Sequence, residues 1–216
     1  MTYFKIFFTL NFLIFLTSGS FAQSSSNGGG IKFGFKGGVN FSNLYTDDVD
    51  DNNVLTGFQA GVFAKVPVTA DFAIQPELTY NTKGAELVYN NAFVNGTAKF
   101  KLNYIELPVL AVFNLSNNFN IHAGPYIAYL VDGKATNDSQ GTLFDVENSL
   151  SNEDYNKFDA GLAIGVGFDT DNLGVGVRYN YGLQTVGKER TFNGTNYTFP
   201  DGKNSVINVY LTLSIL

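Results

Sequence analysis

The sequence predicts an all-β fold, an eight-stranded antiparallel up-and-down transmembrane β-barrel. Three observations favour it. The 216-residue chain holds 23 glycines, 15% aromatic residues and only 15% charged residues, which suits β-structure with an aromatic surface. Apolar residues alternate with small or polar ones in eight stretches. Long and short connections also alternate along the chain, and outside the N-terminal region no run of about 18 apolar residues could form a membrane helix.

The N-terminal region predicts export. Lys5 precedes an apolar run over residues 6–16, and Ser20-Phe21-Ala22 is a small-residue cleavage pattern. We therefore expect a signal peptide over residues 1–22, a flexible leader over 23–30 (QSSSNGGG) and a barrel domain over 31–216. An uncleaved anchor is the alternative, but the apolar run is short for a span. The chain has no cysteine, so disulfides and a cysteine-linked lipid are excluded.

The clearest alternation lies in the hairpin of residues 157–168 and 173–184. Its apolar positions are Phe158, Ala160, Leu162, Ile164, Val166, Phe168, Leu173, Val175, Val177, Tyr179, Tyr181 and Leu183. Half of the opposite positions are glycine, and Asp159 and Arg178 are among the others. Because successive side chains of a strand point to opposite faces, one face is continuously apolar and the other narrow and polar. This pattern predicts a crowded barrel interior and a lipid-facing exterior.

The remaining strands are predicted at about residues 31–42, 54–66, 72–84, 99–115, 120–132 and 205–216. Pro76 cannot donate to a β-ladder, so we expect a bulge or a local loss of pairing there. In the fourth strand Leu102 and Tyr104 share one parity while Ile105 and Leu107 share the other. We expect an outward apolar face throughout, with one extra residue near Asn103 or Tyr104 as a bulge.

The predicted connections at residues 44–53, 85–98, 133–154 and 186–204 are long, and those after the second, fourth and sixth strands are about four residues. All long loops would emerge at one end of the barrel, as in outer-membrane barrels, where short turns face the periplasm. In lipid the strands must close to pair every backbone group. Eight strands leave an interior that side chains roughly fill.

Several segments resemble the PorT-like "porin family" of small outer-membrane barrels, related in architecture to OmpA and OmpX. The resembling stretches are GGVNFSNL (37–44), GFQAGVFAKVPV (57–68), IQPELTYNTKGAE (74–86), YIELPVLAVF (104–113), GPYIAYL (124–130) and FDAGLAIGVGF (158–168). The resemblance implies an outer-membrane location and an eight-stranded barrel, and it implies no catalytic motif. The chain departs from the usual aromatic C-terminus of such barrels by ending in Ser214-Ile215-Leu216.

Charged and polar residues of the predicted inner face form the candidate site. They are Lys32, Lys36, Lys65, Gln75, Glu77, Lys83, Glu106, Asp159 and Arg178, with His122 beside Asn120. The core of this predicted network is Lys36, Lys65, Glu77, Glu106, Asp159 and Arg178. Buried charges are costly unless paired, so nearly equal numbers of each sign predict a salt-bridged plug. The alternative is an ion path or binding site lined by Glu77, Glu106 and Arg178.

Other chemistries have weaker signals. A lipid-modifying hydrolase would use His122 as its base, but the serines lie mostly in turns. Asp47, Asp48, Asp50 and Asp51 could bind calcium, although the run lacks the glycine and closing glutamate of an EF-hand. We predict no cofactor and no metal site. Tyr45, Tyr80, Tyr104, Tyr129, Tyr155 and Tyr181 are candidate membrane-interface aromatics.

The predicted function follows from these features. We expect a monomeric, non-enzymatic outer-membrane barrel with a filled lumen, embedded in outer-membrane lipid, whose long extracellular loops serve surface interaction or envelope support. The net charge of -6 and the scattered basic residues argue against nucleic acid binding. One alternative is a component or assembly factor of an envelope secretion or transport machine, which would have an envelope protein partner. Another is a soluble secreted ligand-binding barrel.

Overall fold

A computed structural model describes residues 30–45, 52–91, 94–139, 155–192, 195–198 and 202–215. The predicted signal peptide, residues 23–29 of the leader and the acidic run at 47–51 lie outside these ranges. Within them, no helix has the length and apolar character needed to cross a membrane.

Eight long strands form the structure. They are β1 (Lys32–Tyr45), β2 (Leu55–Pro67), β3 (Phe72–Asn91), β4 (Val94–Asn114), β5 (Phe119–Ser139), β6 (Phe158–Asp169), β7 (Leu173–Thr185) and β8 (Lys203–Ser214). Each strand pairs antiparallel with its chain neighbours, and β1 also pairs with β8, from Gly34↔Ser214 to Tyr45↔Lys203. The sheet is therefore closed, and the predicted eight-stranded barrel is confirmed.

The barrel is apolar outside and polar inside. On β7, Val175 and Val177 are each 45% exposed, whereas Arg178 is 2% exposed. The same alternation holds on β1, where Phe35 is exposed and Lys36 is buried. A soluble carrier would place its apolar side chains in the centre, so this arrangement excludes the soluble alternative and agrees with a lipid-facing wall.

The three short turns lie where the sequence predicts them, at residues 68–71, 115–118 and 170–172. The predicted loop at 85–98 is wrong, because β3 and β4 remain paired from Ala85↔Phe100 to Asn91↔Val94. The start of the predicted loop at 133–154 is likewise strand, since β5 continues to Ser139. Residues 140–154 lie outside the described ranges. Over 94–100 the sequence does alternate, with Val94, Ala98 and Phe100 separated by Asn95, Thr97 and Lys99, so period-two reasoning could have extended β4.

The three short turns lie at one end of the barrel, here called the short-turn end, and the long connections lie at the other, the long-connection end. Two short pairings lie at the long-connection end. Asn52–Asn53 pairs with Glu86 and Leu87 of β3. Within the predicted loop at 186–204, Glu189–Phe192 and Thr195–Thr198 form a hairpin. These pairings add β-structure beyond the barrel wall.

A register shift occurs at Asn103/Tyr104, as predicted, but its cause differs from the expectation. Asn103 pairs with Asp132 and Tyr104 pairs with Leu130, so the extra residue is Val131 in β5. Leu102 and Tyr104 are buried inside the barrel while Ile105 and Leu107 are exposed, so the predicted outward orientation of Leu102 and Tyr104 is wrong. The interior near this level is filled by apolar side chains, which period-two reasoning assigned to the outside.

Pro76 interrupts pairing without a bulge. The β2–β3 ladder has partners at Phe63↔Glu77 and at Val66↔Ile74 with none between, and the two pairs share one register. Local loss of pairing, one of the two predicted outcomes, is therefore confirmed. Its physical cause is the missing backbone N–H of proline.

Candidate functional site

The first buried group, here called the Glu77 cluster, joins three strands across the barrel interior. It comprises Lys36 on β1, Gln75 and Glu77 on β3, and Arg178 on β7. Arg178 donates from both terminal nitrogens to the two Glu77 carboxylate oxygens, each at 2.8 Å. Lys36 donates to Glu77 at 2.9 Å, and Gln75 donates at 2.8 Å. Bidentate and charge-assisted bonds of this kind compensate for the loss of hydration that burial imposes.

His122 extends this cluster towards the short-turn end. The Nε of Arg178 lies 3.3 Å from His122 Nε2, and guanidinium nitrogens can only donate, so His122 Nε2 is the acceptor. The proton of the neutral ring therefore lies on Nδ1, which donates to Asn120 Oδ1 at 3.1 Å. Asn120 in turn donates to Asp169 at 2.9 Å. The hydrogen-bond partners thus assign the tautomer and orient the ring.

Tyr210 of β8 packs against the cations of this cluster. Lys36 Nζ lies 3.8 Å from the centroid of the Tyr210 ring, and Arg178 Cζ lies 5.2 Å from it. The Tyr210 hydroxyl is 3.2 Å from His122 Nε2. A ring face attracts cations, so Tyr210 both fills the lumen and stabilises the two positive charges.

A second group, the Lys83 cluster, lies nearer the long-connection end. The Lys83 ammonium forms ion pairs with Glu106 and, at 3.4 Å, with Asp159. Asn180 donates to Glu106 at 2.9 Å and Asn204 donates to Asp159 at 3.0 Å. The rings of Tyr104 and Tyr126 lie 5.3 and 4.5 Å from the Lys83 nitrogen.

The two clusters together hold balanced charge. The Glu77 cluster has two cations and one carboxylate, and the Lys83 cluster has one cation and two carboxylates. Their formal charges are therefore +1 and -1, which sum to zero. Opposite charges in a poorly solvated interior attract strongly, so the balance lowers the cost of burying six charged groups.

Inner-face glycines provide the space for these large side chains. A Cβ on Gly176 would lie 2.5 Å from the Tyr210 hydroxyl, and one on Gly165 would lie 2.6 Å from His122 Nε2. Cβ atoms in proteins essentially never lie within 3.0 Å of such a neighbouring atom, so a larger residue would not fit without a shift. The glycine-rich face that the sequence displays is thus the complement of the tyrosine, histidine and arginine that fill the lumen.

The two ends of the lumen differ. Towards the long-connection end, the described part of the lumen is filled by buried apolar side chains, which are Leu44, Leu102, Leu130, Tyr155 and Val186. At the short-turn end is a cavity of about 620 Å³, here called the mouth cavity. Its wall includes Lys65, Gln75, Asn120, His122 and Asp169, and residues of all three short turns surround it. Solutes can therefore reach Gln75 of the Glu77 cluster from the short-turn end, the side that faces the periplasm in outer-membrane barrels.

Lys65 and Asp169 form an ion pair in the wall of this cavity. Their charged atoms are 3.0 Å apart, and the side chains are 16% and 38% exposed. Lys65 also donates to Asn114 at 3.4 Å. Water screens this pair, so it contributes less to stability than the buried clusters.

The structure assembles the predicted site residues into three groups rather than one. Lys36, Glu77 and Arg178 are in direct contact, Glu106 and Asp159 meet through Lys83, and Lys65 pairs separately with Asp169. Lys32, also predicted on the inner face, is exposed at the mouth and donates to the backbone of Asp171. Sequence reasoning missed Asp169 and Tyr210, which lie on the polar parity of their strands and could have been found there.

Two predicted interface aromatics belong to the interior instead. Tyr104 and Tyr155 are 1% and 2% exposed, so their assignment to the membrane interface is wrong. Burial raises the pKa of Tyr155, which lies outside the strands, to about 12. Tyr129 is exposed beside Phe158, with ring centroids 5.2 Å apart, and remains an interface candidate.

Residues 21–186 match the family model described as outer membrane protein beta-barrel domain. No curated protein is similar enough in sequence to count as a match. Solved structures similar to this one include the attachment invasion locus protein Ail of Yersinia pestis, with 10% identity, a TM-score of 0.45, and coverage of 87% of this chain and 100% of Ail.

Two further solved structures are similar. Neisserial surface protein A shares 15% identity at a TM-score of 0.47, covering 86% of this chain and 99% of its own. OprG of Pseudomonas aeruginosa shares 11% identity at a TM-score of 0.39, covering 87% of this chain and 94% of its own.

Proposed function

Since this chain belongs to the outer membrane protein β-barrel family and lies in the outer membrane, we propose that it is a non-enzymatic barrel with a plugged lumen, which anchors an extracellular β-structure used in surface interaction or envelope support. The observation that carries the proposal is the pair of buried ion-pair clusters across the interior. The narrower PorT-like membership, suggested by the QPEL and YIELP segments, stays a prediction.

The anchoring role rests on unequal strand lengths. A membrane-spanning β-strand needs about 9–11 residues. The strands β3, β4 and β5 have 20, 21 and 21 residues, whereas β6 and β8 have 12 each. With the short turns in the periplasm, the surplus of β3–β5 extends outside the cell as a three-stranded sheet. Such a sheet offers a rigid surface for contact with another molecule.

The non-enzymatic assignment is supported by the surroundings of His122. Its ring nitrogens bond Asn120, Arg178 and Tyr210, and among the described residues no serine or carboxylate bonds it directly. A hydrolase would need a nucleophile within hydrogen-bond reach of the base. The Nε2 lone pair that would take a proton already accepts from Arg178.

Conductance in planar lipid bilayers tests the plug. We expect the purified protein to give no large, steady channels, because the lumen is filled at the levels of both clusters. A variant with Lys36, Glu77, Arg178 and Tyr210 all changed to alanine should also give no large channels, because the Lys83 cluster and the apolar side chains beyond it still fill the lumen. Large steady channels from the unaltered protein would contradict the proposal.

Deleting the projecting part of one hairpin tests the surface role. Removal of residues 88–97 shortens β3 and β4 beyond the barrel and leaves both clusters intact. We expect the variant to insert normally while the attachment of whole cells to surfaces, or the resistance of their envelope to detergent, declines. Unchanged attachment and unchanged envelope resistance would contradict the role.

A further inference from the structure

We propose that the mouth cavity binds a small anionic solute through a carboxylate or phosphate group that faces Lys65 and Gln75. This inference goes beyond the proposed function, because a plugged barrel that anchors extracellular β-structure does not require a cavity at the short-turn end. Its volume of about 620 Å³ lies within the range of about 300–1,000 Å³ typical of small-molecule sites.

The donors in the cavity wall favour an anion. Lys65 donates to Asp169 and Asn114, so one of the three ammonium hydrogens remains for a ligand. Gln75 uses one amide hydrogen on Glu77 and has a second one left. The Asp169 carboxylate accepts from Lys65 and Asn120 through Oδ2, and its charge is neutralised by the ion pair with Lys65.

The charge behind the cavity also favours an anion. The three charged members of the Glu77 cluster lie directly beyond Gln75, His122 and Tyr210, and their formal charges sum to +1. Its groups are buried, so solvent screens their field little. At the rim, Lys32, Asp71 and Asp171 sum to -1, but these residues are exposed and water reduces their effect. The potential therefore becomes more positive from the rim towards the floor.

The cavity opens at the short-turn end. The short turns surround its mouth, whereas buried apolar side chains fill the described part of the lumen towards the long connections. Because short turns of outer-membrane barrels face the periplasm, the site would exchange its ligand with the periplasm.

Nuclear magnetic resonance titration of the whole barrel in lipid nanodiscs tests the proposal. The probes are inorganic phosphate, acetate and, as a cationic control, choline, all at constant ionic strength. We expect saturable shifts of the Asn120 and Gly174 amides with phosphate, acetate or both, and none with choline. Whichever anion binds more tightly identifies the ligand chemistry as phosphate or carboxylate.

Matched lysine variants localise the binding. Lys65→Gln should raise the dissociation constant about tenfold, as expected for loss of one charge-assisted hydrogen bond. Lys65→Arg should retain binding, and Lys157→Gln, an exposed lysine outside the cavity wall, should leave it unchanged. If Lys65→Gln does not fold, Gln75→Leu tests the other donor. Affinity in Lys65→Gln and Gln75→Leu equal to that of the unaltered protein, or shifts scattered over the surface, would overturn the proposal.

Discussion

Glu77 shows how this barrel tolerates buried charge. Its two carboxylate oxygens accept four hydrogen bonds from three side chains, those of Lys36, Gln75 and Arg178. Removing any one donor leaves a carboxylate that is neither hydrated nor fully paired. The cost of such a loss exceeds the net value of the intact pair, because desolvation has already occurred.

Arg178→Leu should therefore lower the free energy of unfolding by about 3–5 kcal/mol. Lys65→Gln, which breaks a partly exposed pair, should lower it by less than about 1 kcal/mol. Urea unfolding in lipid vesicles, followed by circular dichroism and by gel mobility, measures both. If the two variants are equally stable, the Glu77 cluster does not stabilise the barrel as described.

Gly176→Ala should destabilise the barrel by about 1–3 kcal/mol through overpacking, because its Cβ would meet the Tyr210 ring and hydroxyl at 2.5 Å. Gly37→Ala is the matched control, since its nearest neighbour would be 3.9 Å away. Urea unfolding again measures the difference. A second change, Tyr210→Leu, should relieve part of the penalty in the Gly176 variant, and equal penalties for the two glycines would contradict the fit.

At the scale of the strand, alternation predicts the lipid face well and the lumen less well. Apolar positions of β6 and β7 face outward as predicted, because every outward position of a membrane-spanning strand meets lipid. Leu102 and Tyr104 are exceptions to the rule that apolar residues face lipid, because apolar side chains also fill the small lumen. The contact of Lys36 with Glu77 depends on the registers of β1, β2 and β3 together, which no local pattern encodes.

An arginine on the lipid face should cost free energy according to its depth. Ile164→Arg, at the middle of β6, should destabilise the barrel by about 2–4 kcal/mol. Leu183→Arg, near the end of β7, should cost about 1 kcal/mol or less. Both side chains are exposed in the structure, at 63% and 53%, so a soluble barrel would show small and similar effects. Reversible unfolding from lipid vesicles measures the two values.

At the scale of the molecule, the barrel has three layers along its axis. An open cavity lies at the short-turn end, two clusters whose charges balance each other fill the middle, and buried apolar side chains fill the lumen towards the long connections. The sequence predicted the strand number and the inward charges. It could not predict this layering, because the layers arise from side chains that distant strands contribute at the same height.

The central claim is that the wall faces lipid while the charges lie inside. Since the chain has no cysteine, nitroxide spin labels on single introduced cysteines measure it directly in lipid vesicles. Labels at Phe35, Leu162 and Val175 should collide with dissolved oxygen far more than with a water-soluble nickel complex, whereas labels at Lys36 and Asp159 should be immobilised and reached poorly by both. Labels at Leu162 and Val175 that are shielded from lipid, with oxygen-accessible labels at Lys36 and Asp159, would contradict the account.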